Sequence, residues 1–410
     1  MAAPTVLAAF WVWGLLDKKV SDEYISLYKP IPIPENPTFT TRNVSVIIPV
    51  LNPEPSFLPC LESYLLNDPL EIFLITRPPY CHKVIDALGG ASFSTEKIQV
   101  VLARDDMPGI RGQMATGFLR ARGSITAKVD SHIMWPPHYL THLLPCFEDP
   151  SVGTAGGAFS TRTAPNRRTP SAITPAEVAS TRALDGRLRT TKIDAFVAHR
   201  WRWIVCGASY LVRTEIVQRA DYIDAFLHDV WHGLFGRTRL DTGDDTFTSR
   251  WLTASGYNHV PQAMPETDVT RVPKRSARAL VMQLVRWERS TIQSTLRCTW
   301  ETPGVWGNAF VARRTLERVF RDVLLYVHLW AWWGTFRTWP ALGAVLLGYY
   351  MGQKVVSLQG FFAEYPYMRR YWWAAVLGDY GSVLVAPWAW LTLGTEEWFL
   401  GEDVGGKKDA

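Results

Sequence analysis

The chain has 410 residues, enough for one large or two ordinary domains, and 13% of them are aromatic, including 19 Trp. A formal net charge of +5, with Lys and Arg scattered rather than gathered in one stripe, argues against nucleic acid as a partner and fits a phosphate-bearing substrate or an anionic membrane surface. Cys60, Cys81, Cys146, Cys206 and Cys298 form no C-x-x-C pair, which argues against a zinc site or disulfide framework and fits reduced thiols in a cytosolic setting.

Residues 1–19 carry the apolar stretch Ala2 to Leu16, closed by Asp17, Lys18 and Lys19. It lacks the basic start and small-residue cleavage site of a signal peptide, so it reads as an N-terminal membrane anchor or as an apolar tail packed on the domain. The abundance of Trp and a mean hydropathy of −0.03 favour a protein that is part cytosolic and part membrane. Residues 20–43 form a linker, stiffened by four prolines between Pro30 and Pro37.

Residues 44–275 read as one α/β domain. Short apolar runs at Val44–Val50, Leu70–Thr76, Ile98–Leu102, Ile125–Asp130 and Val152–Ala155 are separated by stretches long enough for helices. Such β-branched runs predict buried parallel strands in a doubly wound sheet, with ligands beyond their carboxyl ends. The first run is followed by Pro49-Val50-Leu51-Asn52-Pro53, so no G-x-G-x-x-G dinucleotide fingerprint stands there, and no P-loop occurs.

Asp130 and His132 stand two apart at a strand end, where both could reach a divalent ion; a capping Asp and a carbonyl-bonded His is the other reading. Arg111-Gly112-Gln113 opens a helix running through Arg120, which places Arg111 near the same strand ends, to hold a phosphate or base or to be merely solvated. Thr161 to Arg200, rich in Arg, Thr and Ala, reads as an excursion over the domain surface. Trp201 to Ser209, aromatic then small, could line a sugar channel or form a packed core strand.

In Asp241-Thr242-Gly243-Asp244-Asp245, two carboxylates follow a glycine that lets the backbone turn, which suits a general base or an ordinary turn. Residues 276–320 are read as interfacial amphipathic helices. A helix from about Ser276 to Arg297 sets Gln283, Arg286 and Trp287 at i, i+3 and i+4 on one face, as a sugar-diphosphate reader or with Trp287 as an interfacial anchor. Residues 321–396 hold the apolar stretches Val323–Phe336, Trp339–Phe362 and Tyr371–Gly394, expected to form a C-terminal transmembrane region, with Asp379 inside the third. Residues 397–410 are a tail.

Taken in order, these motifs resemble the membrane-integrated family 2 glycosyltransferases: the hyaluronan, chitin and cellulose synthases, and the fungal polysaccharide synthases related to the type 3 capsular enzyme. The resemblance implies a GT-A-type cytosolic domain with a mostly parallel sheet, flanked by transmembrane helices of a multi-pass plasma-membrane protein. It implies Asp130 as the leading aspartate of D-x-D, His132 in place of the second, and Mn²⁺ or Mg²⁺ as cofactor. Asp245 corresponds to the base, supported by Asp244; Gln283, Arg286 and Trp287 correspond to the Q-x-x-R-W motif at the acceptor and diphosphate. Arg111 and Gln113 resemble a K-R-x-Q donor segment, and Thr76 closes the strand where many relatives carry an aspartate that reads uracil. The expected reaction is inverting transfer from a UDP-sugar to a growing glycan at the lipid bilayer. A lipid acceptor such as ceramide or polyprenyl phosphate, or a catalytically inactive scaffold, are the alternatives.

Overall fold

The computed structural model describes residues 2–185, 193–233 and 236–395. Strands form where the apolar runs leave no polar face. These are β1 (Val44–Pro49), β2 (Glu71–Thr76), β3 (Ile98–Leu102), β4 (Ile125–Val129) and, after the short β5 (Ile133–Met134), β6 (Val152–Gly156). The chain continues through β7 (Phe159–Thr161), β8 (Ser209–Arg213), the hairpin strands β9 (Val230–Gly233) and β10 (Gly236–Arg239), then β11 (Asn258–Pro261) and β12 (Val269–Arg271).

The central sheet has the order β11-β6-β8-β4-β1-β2-β3. Strand β1 runs parallel to β2 and β4, β2 parallel to β3, and β11 parallel to β6. Only β8 runs against its neighbours, β4 and β6. Every residue of β1, β2 and β4 is buried, as a sheet covered on both faces requires. Alternate side chains feed two cores: Val46, Ile48 and Leu74 face Phe57 and Leu61, while Ile47, Phe73 and Ile75 face Met114 and Phe118. A small second sheet, β5-β12-β7, pairs Arg271 with Ile133 and so brings β12 beside the turn that follows β4.

The Thr161–Arg200 stretch is more than a surface excursion. It contains a helix, Pro175–Leu184, whose Thr174 and Glu177 form a capping box and whose Val178 is wholly buried. Residues 186–192 of this stretch, and all of the 397–410 tail, lie outside the described residues.

The expected transmembrane helices are overturned. The apolar stretches do become helices, at Ala2–Ser26, Arg321–Thr338, Pro340–Glu364 and Trp372–Leu391. Among the described residues, however, no helix is long and apolar enough to cross a membrane. This conflicts with a multi-pass plasma-membrane protein whose catalytic domain faces the cytoplasm. The physical reason is composition: Trp and Tyr carry polar N–H and O–H groups, so aromatic-rich helices are only intermediate in apolarity. Charges dilute them further: Asp17, Lys18, Lys19, Asp22 and Glu23 in the first helix, Arg321, Asp322 and Arg337 in the second, and Lys354 and Asp379 in the last two.

The terminal helices dock on the chain itself. Gly334 lies so close to the N-terminal helix that a Cβ there would stand 2.4 Å from Ala3 Cβ. Helix Trp372–Leu391 fits between the Pro175–Leu184 and Ala277–Glu301 helices; a Cβ on Gly378 would stand 2.6 Å from the Ala179 carbonyl oxygen, and one on Gly381 2.9 Å from Leu284 Cδ1. Asp379 faces neither lipid nor channel: Arg182 Nε and Lys354 Nζ donate to it at 2.8 and 3.0 Å.

Candidate active site

The carboxyl ends of β1, β2 and β4 lie side by side, and the helix Gly109–Arg120 closes over them. Gln113, buried on that helix, donates from Nε2 to the Ile75 carbonyl at 2.7 Å and so secures the end of β2. Thr76, the last residue of β2, is fully buried, and its Oγ1 has no hydrogen-bond partner among the described residues. The helix start is held by Asp241, whose carboxylate accepts from Ile110 N at 3.0 Å and Arg111 N at 3.3 Å. This contact needs Gly109: its φ is +78°, and a Cβ there would stand 1.9 Å from Asp241 Oδ1.

Asp241 opens the loop that leads into the helix Asp244–Ala254. Gly243, at φ +70°, supplies the left-handed turn that starts this helix with two carboxylates in its first turn. Asp244 is buried and Asp245 more open. Asp245 lies over Gly207, where an added Cβ would stand 2.3 Å from its Oδ2. On the other side of the same backbone sits Lys128, the one charged residue of β4. Its Nζ donates to the Gly207 carbonyl at 2.6 Å and to Asp130 Oδ1 at 2.7 Å, and stands 3.5 Å from Asp244 Oδ2. Burial works against the Lys128 ammonium, but Asp130, Asp244 and Asp245 outweigh it and hold its pKa above the usual lysine value. Asp130 keeps about a third of its side chain exposed, 32%. Arg286 completes the group: burial depresses its guanidinium, and Asp130, Asp244 and Asp245 are the carboxylates that draw it back.

The other expected residues have surroundings of their own. Arg111 is turned inward: its Nη1 donates to the Phe226 carbonyl at 2.9 Å, its Nη2 to Asp229 Oδ2 and the Thr242 carbonyl at 3.0 Å each, and its guanidinium lies over the Phe226 and Phe247 rings. It therefore braces the loop before Asp244. Gln283 is buried on the Ala277–Glu301 helix, and Trp287 packs half-buried between the sheet core and the C-terminal helices. His132 is pushed down to about 3 by burial, then by Arg271, Lys274 and Lys128, with Glu54 opposing, so its imidazole is neutral in a cationic setting.

The Asp130, Asp244–Asp245 and Arg286 groups thus converge at the strand ends, in a chain whose residues 41–290 match the model of the glycosyltransferase like family 2. The chain belongs to that family. It is a family 2 glycosyltransferase, an enzyme that uses a nucleotide sugar. The transferase is similar to the NDP-glycosyltransferase ltbB of Aspergillus luteorubrus, with 30% identity over 97% of each chain. It is also similar to a type 2 glycosyltransferase of Gibberella zeae, with 27% identity over 90% of this chain and 70% of the relative. Among solved structures it resembles mannosyltransferase PcManGT from Pyrobaculum calidifontis, in complex with GDP-Man and Mn²⁺, with a TM-score of 0.54, 15% identity, and coverage of 94% and 98% of the two chains. That likeness is one of fold, and it corresponds to the GT-A-like α/β architecture with its mostly parallel sheet.

Reading the motifs missed several parts of the transferase. Asp229 joins Arg111, Arg250 and Arg297 in one buried group, with Arg297 Nη2 donating to it at 2.6 Å. Its partners lie 118 residues before it and 21 and 68 residues after it, so no local spacing marks it. Lys128 did leave a signal: a lone charge inside the apolar run Ile125-Thr126-Ala127-Lys128-Val129 must find a partner if that run is buried.

Proposed function

We propose that the chain is an inverting glycosyltransferase that moves a sugar from a UDP-sugar to the hydroxyl of a growing glycan. The observation that carries this reading is the placement of Lys128 against Asp130, Asp244 and Gly207, with Asp245 over the same glycine, at the carboxyl ends of the sheet. Asp245, the more open of the paired carboxylates, takes the acceptor hydroxyl proton. The oxygen attacks the anomeric carbon from the face opposite the diphosphate, and the C–O bond to UDP breaks with its electron pair leaving on the diphosphate. Asp244 stays behind it, neutralised by Lys128. Arg286, and Arg271 beside His132, are the cations available to the departing phosphates.

Among the described residues no three His, Cys, Asp or Glu side chains gather into a metal site. The donor set nonetheless fits a divalent ion whose other ligands come from the substrate: Asp130 has a carboxylate about a third exposed, and burial and nearby cations keep the His132 imidazole neutral. Asp130 and His132 would hold Mn²⁺ or Mg²⁺. When bound, the ion would neutralise charge on the diphosphate.

A second reading keeps the chemistry and makes the acceptor a lipid alcohol or phosphate. It is favoured by the large apolar side chains that the terminal helices expose, among them Trp13, Trp333, Trp339, Val345 and Val356. Release of UDP by purified protein with Mn²⁺, across a panel of UDP-sugars with glycan and lipid acceptors, tests both readings. One donor should turn over in the wild type, and Asp245→Asn should lower that turnover by ~10²–10⁴-fold, the contribution typical of a general base. Turnover unchanged in Asp245→Asn sinks the assignment of the base; a folded wild type inert with every donor supports a catalytically inactive scaffold.

A further inference from the structure

We propose that Lys128 is a positioning residue of the transfer: a fixed ammonium that holds the donor-side Asp130 and the base-side Asp244 in one frame. The inference rests on the donor and base reading above and deepens it.

Lys128 sits in the middle of the sheet, paired across to Ile47 of β1 and Tyr210 of β8, with only 3% of its side chain exposed. Its strand neighbours Ala127 and Val129 are apolar and fully buried. Removing an ammonium from water costs several kcal/mol unless its partners are well placed. A structural ion pair needs one carboxylate; this amine reaches two, and they come from segments more than a hundred residues apart. One segment carries the aspartate next to the leaving group, and the other starts the helix that carries the base.

The third contact explains how the two segments are held in register. The Gly207 carbonyl accepts from Lys128 at 2.6 Å, and a Cβ added to the same glycine would stand 2.3 Å from Asp245 Oδ2. One glycine thus borders both the ammonium and the proposed base. The charge matters as much as the geometry. Asp130, Asp244 and Asp245 converge where a diphosphate must also arrive, and like charges at this range repel unless a cation sits among them. Lys128 is one such cation on the protein side, beside Arg286, and it is the one held almost wholly out of solvent.

The experiment measures UDP binding by calorimetry, with and without Mn²⁺, and turnover with the active UDP-sugar, for the full chain and for Lys128→Met, Asp244→Asn and the double variant. Circular dichroism and melting temperature control for folding. Lys128→Met is expected to weaken Mn²⁺-dependent UDP affinity by about 10-fold or more, the scale of one lost charge-assisted contact, and to lower kcat at least as much. The double variant should turn over no more slowly than Lys128→Met alone, because the two residues act as one unit. Where Lys128→Met fails to fold, Lys128→Arg keeps the charge; it should fold and recover UDP affinity.

Wild-type affinity and kcat in folded Lys128→Met overturn the proposal, as do penalties that multiply in the double variant or a Lys128→Arg with no UDP affinity. Loss of turnover in Asp245→Asn beside a normal Lys128→Met overturns the role of the lysine alone. A wild type that binds no UDP overturns the donor reading, and this inference with it.

Discussion

Two buried ionic groups lie on either side of the loop that precedes Asp244, and they are built differently. Around Asp229, cations outnumber carboxylates: Asp229, its side chain 2% exposed, meets Arg111, Arg250 and Arg297 at 3.0, 3.8 and 2.6 Å, and Glu301 also pairs with Arg250 and Arg297. Around Lys128 the balance is reversed: Asp130, Asp244 and Asp245 outnumber Lys128 and Arg286, Asp244 Oδ2 lacks a hydrogen bond among the described residues, and Asp130 keeps about a third of its side chain exposed. The central carboxylate of the first group is sealed by its arginines, and the second group keeps a carboxylate part-open. Closed charge holds the loop in place, and open charge at the strand ends is where a charged ligand finds partners.

The comparison is broken most directly by opening the closed group. Asp229→Ala leaves three arginines without their shared carboxylate and should cost about 3–5 kcal/mol of stability, read by denaturant unfolding. The same carboxylate has a pH signature. Burial pushes the Asp229 carboxyl up, but Arg111, Arg297 and Arg250 outweigh it and leave it below the ordinary aspartate value. A carboxyl depressed in the folded state contributes stability that is present above its unfolded pKa of ~3.9 and is lost as pH falls through the lower folded value. Stability should therefore drop below about pH 4 in the wild type, and this part of the drop should be absent from Asp229→Asn.

A smaller effect is expected from crowding the open group. Gly207→Ala places a methyl 2.3 Å from Asp245 Oδ2 and must displace the Asp245 carboxylate. Turnover should fall by about 10²-fold, the loss that accompanies a misplacement of about 1 Å, with little change in melting temperature. An equal fall in stability would mean that Gly207 serves packing rather than the position of Asp245. The smallest effect concerns a neutral contact outside both groups. Thr174→Ala removes the side-chain cap of the Pro175–Leu184 helix and should cost ~1 kcal/mol with UDP affinity unchanged.

The parts of this molecule that were legible beforehand share one property: their pattern is local. The runs that become β1, β2, β3, β4 and β6 are continuous and β-branched between polar turns. Strand β8 was not read as sheet, because Ser209–Arg213 follows a Trp-rich approach and its reversed direction depends on where the chain re-enters. The order of motifs groups Asp130, Asp245 and Arg286 as one expected site. It could not foretell that Arg111 turns inward, since Asp229 lies 118 residues away. The terminal helices misled for a compositional reason. Trp and Tyr look membrane-like in bulk, but their polar edges and the interspersed charges leave helices that find partners within the chain, such as Trp13 Nε1 donating to Glu317 at 2.9 Å.

The helix Trp372–Leu391 sets a limit on how this enzyme can be divided. The family match ends at residue 290, inside the Ala277–Glu301 helix that carries Gln283, Arg286 and Trp287. The back of that helix is covered by Gly381 at Leu284, and the neighbouring Ala179 by Gly378. A fragment cut at the family boundary would expose this seam and end the helix four residues after Arg286. The Trp372–Leu391 helix, about a hundred residues beyond the family match, thus serves as a keel for the helix that carries Gln283, Arg286 and Trp287.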